Sequence, residues 1–282
     1  MQSDEFAEIE LSFTFPLSVG HCIAGVRVDG SRAHGFDNTP DYAAAVLAIG
    51  RLLTSNPDSP DLPPGLLWRR DALGKPLTQW TGELAEWARS NGRESSHLHV
   101  SNTHDGGAHI VIAAYSADLA GIGIDLVWLP RLRRAGKDRK YLLRFARQFM
   151  STEEWEAFES TIDDPYSPPH PLTPSPSHPQ SDPDESLRLR TAAHFSLMEA
   201  ASKACGTGLK MGVGMGRETS LPKQSLGALR LDPPVHLLFG PAAIRRLDAI
   251  GAARYEAYVR ADYDFLVSVV ALYRTSPPGP LS

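Results

Sequence analysis

A short apolar run that closes on one acid, Gly121-Ile122-Gly123-Ile124-Asp125, constrains this chain more than any other segment. It reads as a buried strand, and a carboxylate at the end of such a strand needs partners, because burial penalises its charged form. About seventy residues on, His194-Phe195-Ser196-Leu197-Met198-Glu199-Ala200-Ala201-Ser202-Lys203 reads as a helix. Glu199 and Lys203 stand four residues apart and so share one face. One Asp and one Glu from separate elements suit Mg2+, whose other positions go to substrate phosphates and water. A lysine one turn from that Glu reaches the same phosphates. The combination points to chemistry on a phosphate-bearing substrate. Two plainer readings stand beside it: Asp125 as a turn cap, and Glu199–Lys203 as an exposed ion pair worth only ~0.3–0.5 kcal/mol.

The remaining pattern is mixed helix and strand. Residues 8–15 alternate polar and apolar, and residues 22–28 read as a second strand. Residues 41–54 carry apolar positions at helical spacing. A loop over 55–65, rich in Pro and Ser, precedes a strand over 66–70, a turn at Gly74-Lys75-Pro76 and a short helix over 82–90. From 98 to 125 the chain is strongly β in character. A strand over 98–102 leads to a turn at Asp105-Gly106-Gly107, then a strand over 109–115, then the strand over 121–127. The last two are expected to pair antiparallel, since the link between them is too short for a parallel crossover.

A helix over about 141–149 follows, and Ser151 starts another, a hydroxyl N-cap ahead of Glu153 and Glu154. Residues 163–185 hold eight prolines and almost nothing apolar. Such a segment cannot bury a core and reads as a disordered insertion. The helix over about 188–207 resumes the fold. Strands near 227–231 and 234–239 and a hairpin of 254–260 with 264–273 complete it. The expected class is α+β, with an N-terminal half over 1–118 and a C-terminal half over 119–282 that carries the candidate metal site.

The formal net charge of −5 implies no general affinity for nucleic acid, so any basic site is local. Basic residues do cluster over 131–140, either as a solvated face or as a dock for an acidic partner. Cys22 and Cys205 form neither a disulfide framework nor a metal cluster, which favours a reducing compartment. No apolar run approaches the ~20 residues of a membrane span. The acidic N-terminus lacks a signal-peptide pattern. A cytoplasmic protein without membrane or nucleic-acid partners is expected.

Several short motifs occur together and in order. Arg70 precedes Gly74-Lys75-Pro76. Val100-Ser101-Asn102-Thr103-His104 follows, then Gly121-Ile122-Gly123-Ile124-Asp125, then Phe149-Met150-Ser151-Thr152-Glu153-Glu154-Trp155. Last comes Phe195-Ser196-x-x-Glu199-Ala200-x-x-Lys203-Ala204-x-Gly206-x-Gly208-Leu209. Over roughly residues 45–275 this series resembles the 4′-phosphopantetheinyl transferases. The length resembles their larger, pseudo-dimeric branch, the surfactin-synthetase and aminoadipate types, more than the small trimeric holo-acyl-carrier-protein synthases.

The resemblance implies two similar α+β halves with coenzyme A in the cleft between them, and a monomer in solution. It implies transfer of the phosphopantetheine arm of coenzyme A to a serine of an apo acyl or peptidyl carrier protein, with release of adenosine 3′,5′-bisphosphate. Asp125 and Glu199 would be the ligands of Mg2+, or of Mn2+ in its place. Glu199 would also take the serine proton, directly or through water, and Lys203 would steady the leaving group. Thr103 and His104 would face the 3′-phosphate of coenzyme A, with Arg70, Lys75 and Arg51 as further phosphate or adenine-side contacts. Val127 stands where some larger members carry a third acid, and Trp128 where small members often carry Glu. The alternative is a catalytically degenerate module that binds coenzyme A or a carrier protein without turnover. No phosphate-binding Gly-x-x-x-x-Gly-Lys-Ser/Thr loop supports a different nucleotide transferase.

Overall fold

The structure is a computed structural model. It describes residues 7–9, 15–28, 39–54, 61–71, 75–135, 138–160, 162, 184–207, 209–210, 220–262 and 264–274. In the first half, strands β1 (Ala7–Ile9) and β2 (His21–Arg27) precede helix α1 (Thr39–Thr54). The hairpin β3 (Leu66–Arg70) and β4 (Pro76–Trp80) and helix α2 (Gly82–Ser90) follow. Strands β5 (Leu98–Asp105) and β6 (Ala108–Tyr115) then complete an antiparallel sheet of order β1-β2-β6-β5. Gly106 and Gly107 both take positive φ in the two-residue turn between β5 and β6. That turn type requires φ > 0 at both centres, and it sets the register that places His104 opposite His109.

The second half opens with β7 (Leu119–Trp128) and helices α3 (Leu129–Ala135), α4 (Arg139–Phe149), α5 (Thr152–Glu159) and α6 (Glu185–Ala204). The short strands β8 (Leu209–Lys210) and β9 (Leu221–Pro222) follow, then the hairpin β10 (Leu226–Arg230) and β11 (His236–Phe239). Helix α7 (Pro241–Ile250) and strands β12 (Ala252–Ala261) and β13 (Phe265–Arg274) close the chain's described part. The second sheet has order β12-β13-β7. In both sheets the first long strand lies beside the last, and the last forms a hairpin with the strand before it: β2-β6-β5 and β7-β13-β12.

The two sheets stack face to face. Along β6, Ile110, Ile112 and Ala114 enter the core between the sheets, while Val111 and Ala113 lie under α1. Along β7, Ile122, Ile124 and Leu126 enter the same inter-sheet core. Burial on both faces explains why these strands read as nearly continuous apolar runs. The other face of β7 belongs to α6. Methyl groups at Gly121 and Gly123 would overlap the carbonyl oxygens of Ala204 and Ala200, so glycine here lets the helix backbone rest on the strand.

The expected pairing of the 109–115 and 121–127 strands does not occur. β6 is already bonded on both edges, to β2 and β5, and β7 pairs with β13 instead. The short link carries the chain from one sheet to the other rather than around a hairpin. The other long elements fall close to their expected ranges, and α6 begins three residues earlier, at Glu185, where Arg133 holds the Glu185 carboxylate at 2.8 Å. Residues 10–14 of the first expected strand, loop residues 55–60, Gly74 and residues 163–183 of the expected insertion lie outside the described residues. Among the described residues no helix is long and apolar enough to cross a membrane.

Candidate active site

The alternation along β7 carries the site. Gly121, Gly123 and Asp125 share a face by the period of two, so the strand that seats α6 on two glycines presents a carboxylate to the same helix one step further. At the edge of β7, the Ile124 backbone N–H donates to Ser101 Oγ at 3.2 Å, which joins the second sheet to β5 of the first. A cavity of about 380 Å³ opens at this seam. Its polar lining includes Asp125, Glu199, Lys203, Thr103, His104 and Arg70, and Phe195, Leu126 and Val127 form an apolar wall.

Asp125 is only 6% exposed. Its Oδ1 accepts from Lys203 Nζ at 2.7 Å and from Thr103 Oγ1 at 3.2 Å, and Lys203 Nζ also donates to the Ile124 carbonyl at 3.0 Å. The i,i+4 reading of Lys203 is thereby corrected: the ammonium crosses to the strand acid, which is more deeply buried and offers a neighbouring carbonyl as well. Burial, reinforced by the Asp125 charge, pushes the Glu199 carboxyl up to about 7 against the pull of Lys203. Two carboxylates facing one open cavity, with burial and the Asp125 charge both opposing ionisation of Glu199, are a donor set for a divalent cation, which would offset that penalty. The residues present therefore fit the metal that the motif series implies.

A second cluster occupies the corner nearer α1. Asp41, in the first turn of α1 and 4% exposed, is held from three directions. Asn102 Nδ2 donates to its Oδ2 at 2.7 Å, and Arg70 Nη2 to the same oxygen at 3.0 Å. The His109 ring meets Oδ1 through Nδ1 at 3.0 Å. His104 stacks on His109 with ring centroids 5.2 Å apart. Burial pushes the His104 imidazole below its ordinary value, Asp41 opposes this, and His109, Lys203 and Arg70 add to the depression. The ligand-type atoms of Asp41, His104 and His109 lie within 4.8 Å of one another. The carboxylate already has a guanidinium, an amide and an imidazole around it, which is the setting of a satisfied anion rather than of a cation site.

Six of the expected residues thus meet in one cavity: Asp125, Glu199, Lys203, Thr103, His104 and Arg70. Two do not line it. Arg51 lies about 15 Å along α1 from Asp41 and pairs with Glu8 of β1 at 2.6 Å. Lys75 lies along the C-terminal end of α6, where a methyl on Gly206 would be 3.6 Å from its Cδ. Burial lowers its ammonium pKa, with Asp71 opposing and Arg246 adding. Glu154 is not at the site either; its Oε1 accepts from the Ala228 backbone N–H at 2.8 Å and meets His194 at 2.8 Å.

Sequence reasoning missed Asp41 and His109. His109 was within reach, because the Gly106-Gly107 turn makes it the cross-strand mate of His104. Asp41 is an acid in the first turn of a helix, where the dipole alone accounts for it, so its position carries no separate signal.

The profile of the 4′-phosphopantetheinyl transferase superfamily matches residues 121–248. A protein named holo-[acyl-carrier-protein] synthase, from Solidesulfovibrio magneticus, is 32% identical over 154 residues, 55% of this chain and 98% of that protein. The crystal structure of holo-[acyl-carrier-protein] synthase from Neisseria meningitidis is 23% identical with a TM-score of 0.37, over 55% of this chain and 99% of that one. The Helicobacter pylori holo-[acyl-carrier-protein] synthase in complex with coenzyme A is 20% identical with a TM-score of 0.33, over 54% of this chain and 98% of that one.

Proposed function

The chain belongs to the 4′-phosphopantetheinyl transferase superfamily and is an enzyme of that class, and on that footing we propose that it moves the phosphopantetheine arm of coenzyme A onto a serine of an apo acyl or peptidyl carrier protein. The observation that carries the reading is the convergence of Asp125, Glu199 and Lys203, from a strand and a helix, on one cavity.

Asp125 and Glu199 would hold a divalent cation, Mg2+ or Mn2+, which when bound neutralises charge on the coenzyme diphosphate. The chain's own groups do the rest. The carrier serine oxygen bonds to the β-phosphorus as the bond from that phosphorus to the oxygen of adenosine 3′,5′-bisphosphate breaks. The serine proton passes to Glu199, directly or through a water it orients. Lys203 leaves Asp125 for the departing bisphosphate and stabilises its charge. Thr103 holds Asp125 in place by its hydroxyl, and His104 with Arg70 receives the 3′-phosphate. Phe195, Leu126 and Val127 exclude water from the apolar side.

The same proposal includes two similar halves, 1–118 and 119–282, with the coenzyme between them. The shared connectivity of the two sheets and the position of the cavity on their seam support it. Two such units within one chain make a monomer sufficient. The arginines of α3 and α4 are the face for an acidic carrier protein.

The test is the intact mass of an apo acyl carrier protein after incubation with this chain, coenzyme A and Mg2+, beside an Asp125→Ala control. A gain of one phosphopantetheine group that requires Asp125 is expected. Unchanged mass with several carrier types, while coenzyme A still binds, would leave the non-catalytic binding module instead.

A further inference from the structure

We propose that Asp41 is a positioning residue for the coenzyme: from behind the cavity wall it aims Arg70 and the His109–His104 pair at the phosphate monoester of coenzyme A. The inference rests on the proposed transferase reading and adds to it a residue that does not itself touch the ligand.

Coenzyme A carries negative charge in two places, a diphosphate and a phosphate monoester. The cavity has a cationic side chain at each of two corners. Lys203, with Asp125 and Glu199, marks one, and Arg70 with His104 marks the other. Asp41 does not line the cavity and is 4% exposed, so it is not a ligand. Its carboxylate nevertheless meets Arg70 at 3.0 Å and the His109 ring at 3.0 Å, and His109 carries the His104 ring by stacking. Arg70 ends β3, His104 and His109 face each other across β5 and β6, and Asp41 starts α1. One buried carboxylate therefore ties four elements to a common geometry at the place where a phosphate would arrive.

Charge argues the same way. Without Asp41, Arg70, Lys203 and the His104 ring would face one another with no acid behind Arg70 and His104, and His104 would resist protonation more strongly, since Asp41 is the charge that favours it. A buried acid behind them lets cationic donors gather before the ligand enters, so less reorganisation is needed on binding.

The experiment measures binding of coenzyme A and of dephospho-coenzyme A, which lacks the monoester, to the full chain by calorimetry. Asp41→Asn keeps the shape and removes the charge. It is expected to weaken coenzyme A about tenfold, the effect of one charge-assisted hydrogen bond, and to leave dephospho-coenzyme A unchanged. In the transfer assay KM for coenzyme A should rise with kcat held. Equal weakening of both ligands would show a merely structural role and overturn the proposal, as would no weakening. If the wild type itself binds both ligands equally, the monoester assignment of His104 and Arg70 fails first, and the Asp41 proposal with it. Should Asp41→Asn not fold, His109→Ala reads the same link: a loss confined to coenzyme A supports the proposal, and an equal loss or none overturns it.

Discussion

Gly123 of β7 lies against Ala200 of α6 so closely that a methyl group on the strand would overlap the Ala200 carbonyl oxygen. Gly121 meets Ala204 in the same way one turn on. These contacts set how near the helix comes to the strand. They therefore set the distance at which Glu199 and Lys203 face Asp125, two residues beyond Gly123 on the same side.

Gly123→Ala should accordingly disturb both stability and the site. A side chain in that space forces the helix away at a cost of about 3 kcal/mol, the scale of overpacking a rigid core. Chemical denaturation should show that loss, and the variant should have reduced transfer activity at temperatures where it is still folded. Gly20→Ala is the control, since nothing lies within 4 Å of a methyl there, and it should change stability by less than about 0.5 kcal/mol.

Lys203 and Asp125 should be coupled. Lys203→Met leaves the Asp125 carboxylate 6% exposed with only Thr103 as donor, a loss of about 2 kcal/mol, discounted because the lysine is partly exposed. The double variant Lys203→Met with Asp125→Asn should be more stable than Lys203→Met alone, because the uncompensated charge has gone. Additive losses in a double-mutant cycle would contradict this pairing.

The Glu199 carboxyl, raised to about 7, makes a signed prediction about pH. Between its unfolded value near 4.5 and about 7 the folded chain binds more protons than the unfolded one, so this group's contribution to stability falls as pH rises through that window. Mg2+ needs the ionised form and should raise the melting temperature more at pH 8 than at pH 5.5, and chelation should reverse the gain. Glu199→Gln should flatten both responses. A Mg2+ shift that is the same at both pH values and in the variant would place the cation elsewhere.

Glu154 should matter to stability and not to substrate affinity. It is 1% exposed and ties α5 to β10 through the Ala228 N–H and to α6 through His194. Glu154→Ala strands both partners in the core, at a cost of about 3 kcal/mol in urea unfolding. The dissociation constant for coenzyme A should stay within about twofold of wild type, since Glu154 does not line the cavity.

Local rules made a large part of this protein legible without coordinates. The period of two along β7 puts Gly121, Gly123 and Asp125 on one face, and the i,i+4 spacing puts Glu199 and Lys203 on another. The Asp105-Gly106-Gly107 turn sets the register of β5 on β6. Each is a property of neighbours in the chain, decided by backbone geometry. Tertiary structure alone decided that β7 joins β13, more than a hundred residues away, because both edges of β6 were taken. It alone turned Lys203 from its helix neighbour to Asp125, sent Arg51 to Glu8 and Lys75 to the end of α6, and drew Asp41 behind His109 and Arg70. Which charges meet depends on where stacked sheets and helices bring their ends together. No spacing in the sequence encodes that, since it follows from burying all the apolar faces at once.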